Sequence, residues 1–533
     1  MLKFCLGFLN KHKSLFLIYY LIFFFNAFLA LLVPLFNGRI IDFIVSGKNN
    51  LLYRYILFFT LVNITIIITN FFINRVYIKL QTNTAYEIIS KVINHIQELP
   101  MSIIDTFDIG YLNHKINNDS NSLTIFIINL IGNLTKNIIT IFFSLYILFG
   151  IDLILGTSML SIGFIYLLIY SLLKKVIYTV SHNLKEEQAT FFAVMLTQLK
   201  NIRFVKIYAL IKEQQDNMDK SYSTYYKKVK AAQNFFFMYS SLDSFTAVIA
   251  NIIIFLIGGN LIIQQRISVG EFTIILSYFN YLISTFKYFN TLGKEYQDNK
   301  VSFCRLENIL SLEKQYNGKI IVKKIDCIEC KNLSFKRDNR IIYNNFNYTF
   351  TPGKIYFICG ENGSGKTSLI ETVIGIYRKE FTGKILFNNV NSDDIDMYSL
   401  RHNNISFMEQ NIILLEGNAQ KNILLSENYS FENINNVIGQ NEHIIQKELE
   451  FLGTINNNGR GMSGGEIQKL GLYRLLAKES DVYILDEPTT FLDKYNIDLC
   501  MKYMYELKRK KKMIIIISHN LETISMCDEV IYL

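Results

Sequence analysis

Tryptophan is absent from this sequence of 533 residues, and cysteine is sparse: Cys5, Cys304, Cys327, Cys330, Cys359, Cys500 and Cys527. Without tryptophan, any interfacial aromatic belt has to come from the 33 tyrosines and 42 phenylalanines. Cys327 and Cys330 form a lone CxxC with no second pair, in a stretch that reads as a strand start, Ile325–Cys330. Strand side chains alternate between faces, so two cysteines three apart do not converge on a metal or a redox centre. Scattered free thiols fit a reducing compartment for the soluble part of the chain. The first apolar run, Ser14–Phe36, has no small-residue cleavage site and is too long for a signal peptide. It reads instead as a membrane-spanning helix. The net charge of +9 does not point to nucleic acid, because the basic residues cluster beside apolar blocks, where they set membrane orientation. Lys508–Lys512 reads as a solvated turn before the last core strand.

What the chain does have is apolar sequence: 50% hydrophobic residues and a mean hydropathy of +0.22. Up to about residue 290 it comes in long blocks, afterwards in short runs between polar turns. Six blocks are long enough to cross a bilayer: Ser14–Phe36, Tyr55–Phe72, Leu123–Phe149, Leu153–Leu173, Phe245–Ile263 and Phe272–Phe289. The second helix is expected to run on to Leu99, where Pro100 stops it. Residues 174 to about 230 are basic with helical periodicity, which predicts two long extensions joined by a turn near Tyr208–Gln215. Segments 1–13, 73–120 and 174–238 are rich in lysine and arginine, whereas 150–152 has none and 258–270 has only Arg266. That asymmetry puts both termini inside. Asn26, Asn63, Asn129, Asn133, Asn137 and Asn251 lie within the blocks; they read as interhelical hydrogen-bonding residues or as a polar lining. Asp243 and Lys287 are charges near block edges.

In the second half, Phe357-Ile-Cys-Gly-Glu-Asn-Gly-Ser-Gly-Lys-Thr-Ser-Leu-Ile370 fits the phosphate-binding loop pattern: Gly360, four residues, then Gly365, Lys366 and Thr367. The glycines let backbone amides turn inward, and the following helix N-terminus completes a nest for phosphate oxygens. Lys366 is suited to the β and γ phosphates, and the Thr367 hydroxyl to Mg²⁺. Gly459-Arg-Gly-Met-Ser-Gly-Gly-Glu-Ile-Gln468 leads into a helical run, so Ser463, Gly464 and Gly465 form a second anion site at a helix start. Val482–Glu487 is a buried strand ending in two carboxylates. Adjacent carboxylates there have no packing use: Asp486 is assigned to Mg²⁺ through water, Glu487 to polarising an attacking water. Met513–His519 is a strand ending in a histidine, assigned to the γ-phosphate.

This ordered set resembles an ATP-binding cassette (ABC) exporter, and the resemblance covers nearly the whole chain. It implies a polytopic α-helical membrane domain of six transmembrane helices followed by an α/β P-loop NTPase domain. The divisions are 1–312 for the membrane domain, 313–324 for a linker and 325–533 for the ATP-binding cassette. It also implies a Q-loop at Gln410, contacting metal and catalytic centre, a signature loop at Met462–Glu466 and a D-loop at Thr490–Asp493. By the same resemblance ATP contacts Gly360, Glu361, Asn362, Gly363, Ser364, Gly365, Lys366, Thr367 and Ser368 of one copy and Ser463, Gly464 and Gly465 of another, with Asp493 beside them. The catalytic residues are then Glu487, His519 and Gln410, the metal residues Thr367, Gln410 and Asp486, and the cofactors ATP and Mg²⁺.

Four departures from the family pattern stand out. Arg337 occupies the usual base-stacking position, with its guanidinium, Phe335 or Tyr343 as candidates for adenine. Glu466 stands where glutamine is usual, and Asn457 where an acidic residue is. The family pattern also continues past Leu533 with a further strand and helix, and no peptidase domain precedes the first helix, which implies no leader cleavage. The function implied is ATP-driven export, by a dimer, of a peptide, antimicrobial or hydrophobic compound. Its partners are a second copy (or a different half-transporter), membrane lipid and the cargo, with no nucleic acid. The expected location is the cell membrane with the nucleotide-binding half in the cytoplasm. The alternatives are a lipid flippase of the same architecture and an ATP-gated channel or regulatory subunit.

Overall fold

A computed structural model describes residues 1–107, 109–337, 340–361, 363–378, 380–439, 454–455, 462–519, 524 and 527–533. Asn362, Asn457, Gly459–Gly461 and the Asp243 side chain lie outside the described residues. The chain divides into two compact units, Met1–Ile96 with Asp108–Leu312, and Gln97–Phe107 with Glu313–Leu533.

The first unit is helical. Its elements are α1 (Leu2–Leu9), α2 (Lys13–Ser46), α3 (Asn49–Gln97), α5 (Ile109–Ile151), α6 (Leu153–Lys200), α7 (Ile202–Ile207), α8 (Ile211–Ile263) and α9 (Val269–Leu310); α4 (Met101–Ile104) belongs to the second unit. The six long helices coincide with the six apolar blocks. Lys3–Ser46, Asn49–Gln97, Lys115–Ile151 and Ile211–Ile263 are each long and apolar enough to cross a membrane. Large apolar side chains face outward along them, among them Leu57, Ile67, Phe142 and Phe255. In water such a surface would be a liability; in lipid it is the solvent-facing side.

Helix α3 ends at Gln97, just before the Pro100 expected to stop it. Gly47 ends α2 in the left-handed conformation at φ 67°, and its N–H bonds Ile44 O. The turn after α7 is tighter than expected: Tyr208–Leu210 suffices, and α8 already starts at Ile211. Asn26 donates from α2 to Ile66 O and to Thr69 Oγ1 of α3, at 3.1 and 2.6 Å, an interhelical bond. Asn63 and Asn137 instead donate to carbonyls one turn back in their own helices.

The second unit has two sheets. The antiparallel sheet has the order β2-β1-β4-β5, from β1 (Ile328–Arg337), β2 (Arg340–Phe350), β4 (Phe381–Phe387) and β5 (Val390–Asn391). The parallel sheet has the order β11-β3-β10-β9-β6, from β3 (Ile355–Cys359), β6 (Ile405–Met408), β9 (Val482–Asp486), β10 (Met513–Ile517) and β11 (Glu529–Tyr532). A parallel sheet covered on both faces calls for continuous β-branched runs. Accordingly all five residues of β3, β9 and β10 are buried. Alternation then splits them: Ile514 and Ile516 join one core, Met513, Ile515 and Ile517 the other. Helix α10 (Lys366–Val373) seals the second core with Leu369, Ile370 and Val373. Helices α14 (Gly464–Ala477) and α15 (Lys494–Arg509) seal the first.

Cys327 is half-buried and Cys330 buried, both free thiols. Among the described residues no cluster of His, Cys, Asp and Glu could hold a metal. The basic turn is neutralised locally: Lys508 pairs with Asp528, Arg509 with Glu506 and Lys512 with Glu479, and Lys510 Nζ donates to Asn436 O.

Candidate nucleotide site

Strand order gathers the site. The glycine-rich loop leaves the carboxyl end of β3, Gln410 follows that of β6, Asp486 and Glu487 stand at that of β9, and Ser518 and His519 follow β10. All four strands are neighbours in one parallel sheet, so their carboxyl ends share one edge, where open α/β sheets bind ligands.

The loop itself requires glycine at two positions. Gly363 and Gly365 have φ of 82° and 95°, and a Cβ on Gly365 would lie 2.2 Å from Ile342 Cγ2. Lys366, almost fully buried at the start of α10, folds back so that Nζ donates to Gly360 O and Glu361 O, each at 3.0 Å. Ser364 Oγ is buried and has no hydrogen-bond partner among the described residues. An unsatisfied hydroxyl inside a nest of amides is suited to a phosphate oxygen.

Thr367 Oγ1 donates to Asp486 Oδ2 at 2.7 Å. Asp486 is 1% exposed, and its Oδ1 is buried with no partner among the described residues. Burial pushes its carboxyl up to about 6; the Thr367 hydrogen bond opposes the shift, and the Glu487 charge adds to it. Glu371, further along α10, is also raised, chiefly by burial and then by the Asp486 charge. A hydroxyl next to a carboxylate with one unsatisfied oxygen is a donor set that suits Mg²⁺ through water, the hard oxygen-liganded cation that accompanies nucleotide phosphates.

Glu487 has the left-handed backbone conformation, φ 49°, which is rare for a residue with a side chain. It is over-determined. Its N–H bonds Ile517 O at 2.8 Å, and its carbonyl accepts from Gln468 Nε2 and Thr490 Oγ1, each at 3.2 Å. His519 Nδ1 is 3.0 Å from Glu487 Oε1 and 2.9 Å from Oε2, and Ser518 Oγ donates to Oε2 at 3.4 Å. Strain of about 1–3 kcal/mol held by its surroundings is a mark of working residues.

Ser463 caps α14 in a complete capping box. Its hydroxyl accepts from Glu466 N, and the Glu466 carboxylate accepts from Ser463 N at 2.7 Å and from its Oγ at 2.9 Å. Those bonds hold the Glu466 carboxyl below its ordinary value. This gives glutamate a local reason to stand where glutamine is usual. Gln468 ties the same helix to the loop after β9, because Phe491 N donates to its Oε1 at 3.1 Å. Phe491 packs over Gly464, where an added Cβ would meet its ring at 2.9 Å. Ser364 lies inside the phosphate-loop pattern and is expected at the nucleotide, whereas neither Ser518 nor Gln468 carries a sequence signal for its role beyond lying next to a motif.

The remaining predicted residues divide. Gln410 is exposed. Asp493 is an exposed N-cap of α15, accepting from Asn496 N at 2.9 Å. Ser368, in the first turn of α10, bonds Thr372 Oγ1 through its carbonyl. The base-stacking candidates are otherwise engaged. Phe335 and Tyr343 are buried and stacked on each other, with centroids 5.9 Å apart. Arg337 pairs with Asp105 at 2.8 Å and lies over the Tyr377 ring.

The sequence profile of the ABC transporter transmembrane region matches residues 16–286, half of the chain, and the ABC transporter profile matches residues 343–490. The chain belongs to the ABC transporter family. It is an ATP-binding, ATP-hydrolysing membrane transporter of the exporter type, with membrane and nucleotide-binding halves fused in one polypeptide. Half-transporters of this kind generally dimerise. The ATP-dependent lipid A-core flippase of Haemophilus influenzae (strain 86-028NP) is 25% identical over 500 residues, 91% of this chain and 84% of the relative. A lactococcin transport/processing ATP-binding protein, LcnC-like, of Lactococcus lactis is 23% identical over 85% of this chain and 64% of its own length. A bacterial Atm1-family ABC exporter with ATP bound has the same fold, with a TM-score of 0.82 at 15% identity, over 98% of this chain and 93% of that one.

Proposed function

We propose that two identical copies of this chain form an ATP-driven exporter of the cell membrane, with the nucleotide-binding halves in the cytoplasm. The observation that carries the reading is the Asp486–Glu487 pair: one carboxylate oxygen left unsatisfied beside Thr367, the next carboxylate held by His519. ATP phosphates enter the nest of loop amides, and Lys366 Nζ exchanges its two carbonyl acceptors for phosphate oxygens. Thr367 and Asp486 would hold Mg²⁺, which would supply charge neutralisation at the phosphates. Glu487 takes the proton from the attacking water, and His519 orients its carboxylate. The Ser463–Gly465 helix start of the second copy, with Asp493, closes over the same nucleotide.

A feature of the first unit supports dimerisation. The α7 tip carries Ile202, Phe204, Ile207, Tyr208 and Ile211, all exposed and all large. An apolar tip at the end of a charged hairpin calls for a cover, and the second copy supplies it. The cargo is an apolar or amphiphilic compound, a peptide or a lipid; the relatives named for lipid A-core flipping and for lactococcin transport bracket that range. Substrate-stimulated ATPase with peptides and with lipids separates the two.

The decisive experiment is Glu487→Gln in the full chain. It is expected to bind Mg-ATP and stay dimeric while turning over at least ~100-fold more slowly, as loss of a general base implies. Unchanged turnover removes the catalytic assignment. Failure of the wild type to bind Mg-ATP, or a monomer at saturation, removes the pump.

A further inference from the structure

We infer that the first unit carries a binding site for the phosphate group of an anionic amphiphile, between α6 and α9 at the inner end of the apolar band. A cavity of about 510 Å³ opens there, lined by Lys174, Lys175 and Ser181 of α6 and by Gly293, Gln297 and Asp298 of α9. The volume is within the range of small-molecule sites.

Position is the first argument. Lys174 and Lys175 follow the fourth apolar block, which ends at Leu173. Gly293 to Asp298 follow the sixth, which ends at Phe289. Both helices start at the same end of the bundle, so the two half-sites fall at matching depth, where chain leaves hydrocarbon for headgroups. A tail lies against the exposed apolar faces of α6, such as Leu168 and Leu172, while its head reaches the cavity.

Chemistry is the second. Ser181 is 8% exposed, and its hydroxyl is buried without a hydrogen-bond partner among the described residues. A buried hydroxyl left unsatisfied is costly, and an acceptor oxygen in the cavity would remove that cost. Lys174 and Lys175 are exposed, and among the described residues neither makes an ion pair. Asp298 is already engaged by another residue. The lining therefore offers two compact ammonium charges, the hydroxyls of Ser181, Thr179 (which donates to Lys175 O) and Tyr178, and the Gln297 amide, against one carboxylate that is already engaged, a set that matches a phosphate and not a cation. Glycine at 293 leaves the opposite wall without a side chain. The site does not rest on the transport reading, since binding is read without ATP.

The test uses the full chain in neutral detergent, with native mass spectrometry counting bound phosphatidic acid against phosphatidylcholine. The wild type is expected to retain phosphatidic acid in preference. Lys174→Ala with Lys175→Ala is expected to weaken its Kd ~10-fold or more, the size of two interfacial lysine contacts. Ser181→Ala, which leaves the charges alone, is expected to weaken it several-fold and guards against misfolding of the double variant. A competing arm with inorganic phosphate separates the sources: displacement at millimolar concentration assigns the site to free anions, and no displacement assigns it to a lipid headgroup. An unchanged Kd in both variants overturns the site. Basal ATPase is expected to be unaltered in all of them, so a dead pump with an intact binding preference sinks the transport reading alone.

Discussion

Thr367 Oγ1 and Asp486 Oδ2, 119 residues apart in the chain, meet at 2.7 Å, and that bond leaves the other Asp486 oxygen with nothing to accept from among the described residues. The carboxyl is raised to about 6 from an ordinary value of 3.8. A native pKa above the unfolded one means that the folded chain binds the proton more tightly. Stability is therefore lost as pH rises from about 4 through about 6, by about 3 kcal/mol. Asp486→Asn is expected to raise the melting temperature of the nucleotide-free protein by several degrees at pH 8 and by almost nothing at pH 4, while abolishing Mg-dependent ATPase. A lower melting temperature at pH 8 contradicts the unsatisfied charge.

The same titration limits the cation. Mg²⁺ requires the ionised carboxylate, so Mg-ATP affinity is expected to fall below pH 6 while ATP binding in EDTA changes little. Isothermal titration at pH 5.5 and 7.5, with and without Mg²⁺, reads the difference.

The capping box of α14 sets the stability of that helix start. Ser463→Ala removes the acceptor for Glu466 N and is expected to cost about 1 kcal/mol. Glu466→Gln keeps a side-chain acceptor for Ser463 N, so it is expected to be nearly neutral. Denaturant unfolding of the full chain in detergent, followed by fluorescence of a label on α14, separates them.

Much of this was legible because the determinants are local. The six apolar blocks read as helices because length and composition suffice, and the loop at Gly360–Thr367 because its glycines are spaced by the ligand. The parallel strands were legible as β-branched runs such as Met513–Ile517. What was not legible depends on contacts across the chain. Nothing around Gln468 says that it bridges Glu487 O and Phe491 N. Nothing around Ser181 says that it ends up lining a cavity with residues of α9, more than a hundred positions along the chain. The segment Gln97–Phe107 sits in sequence among membrane helices, yet it packs with the second unit because Ser102 bonds Glu380 and Asp105 bonds Arg337.

In the first unit, Asp42 holds the start of α9. Its Oδ1 accepts from Gly270 N at 2.8 Å and its Oδ2 from Ser268 Oγ at 2.9 Å. A carboxylate on a helix N-terminus is favoured by charge as well as by hydrogen bonding. Gly38 and Gly270 let the backbones touch: a Cβ on Gly270 would lie 2.1 Å from Gly38 O. Gly270→Ala is expected to cost more than Asp42→Asn, because backbone cannot yield as a side chain does. Thermal unfolding in detergent is expected to fall for both, with Mg-ATP affinity retained.

Arg337 brings the last prediction, because its position and its contacts point in different directions. It occupies the place of a base-stacking aromatic, yet its guanidinium is bound to Asp105 at 2.8 Å and lies over Tyr377, whose hydroxyl is itself 3.5 Å from Asp105. The side chains are 48% and 28% exposed, so the pair is worth at most about 1 kcal/mol in stability. Its consequence should therefore be sought in function. If the pair fastens Gln97–Phe107 to the nucleotide-binding unit, Arg337→Glu breaks it and is expected to lower cargo-stimulated ATPase several-fold while sparing basal turnover. Asp105→Arg alone is expected to do the same. The double reversal restores the attraction and is expected to recover most of the stimulation, a recovery that a guanidinium acting on adenine would not allow. If instead Arg337→Tyr raises ATP affinity and the double reversal stays uncoupled, the residue belongs to the base and not to the segment.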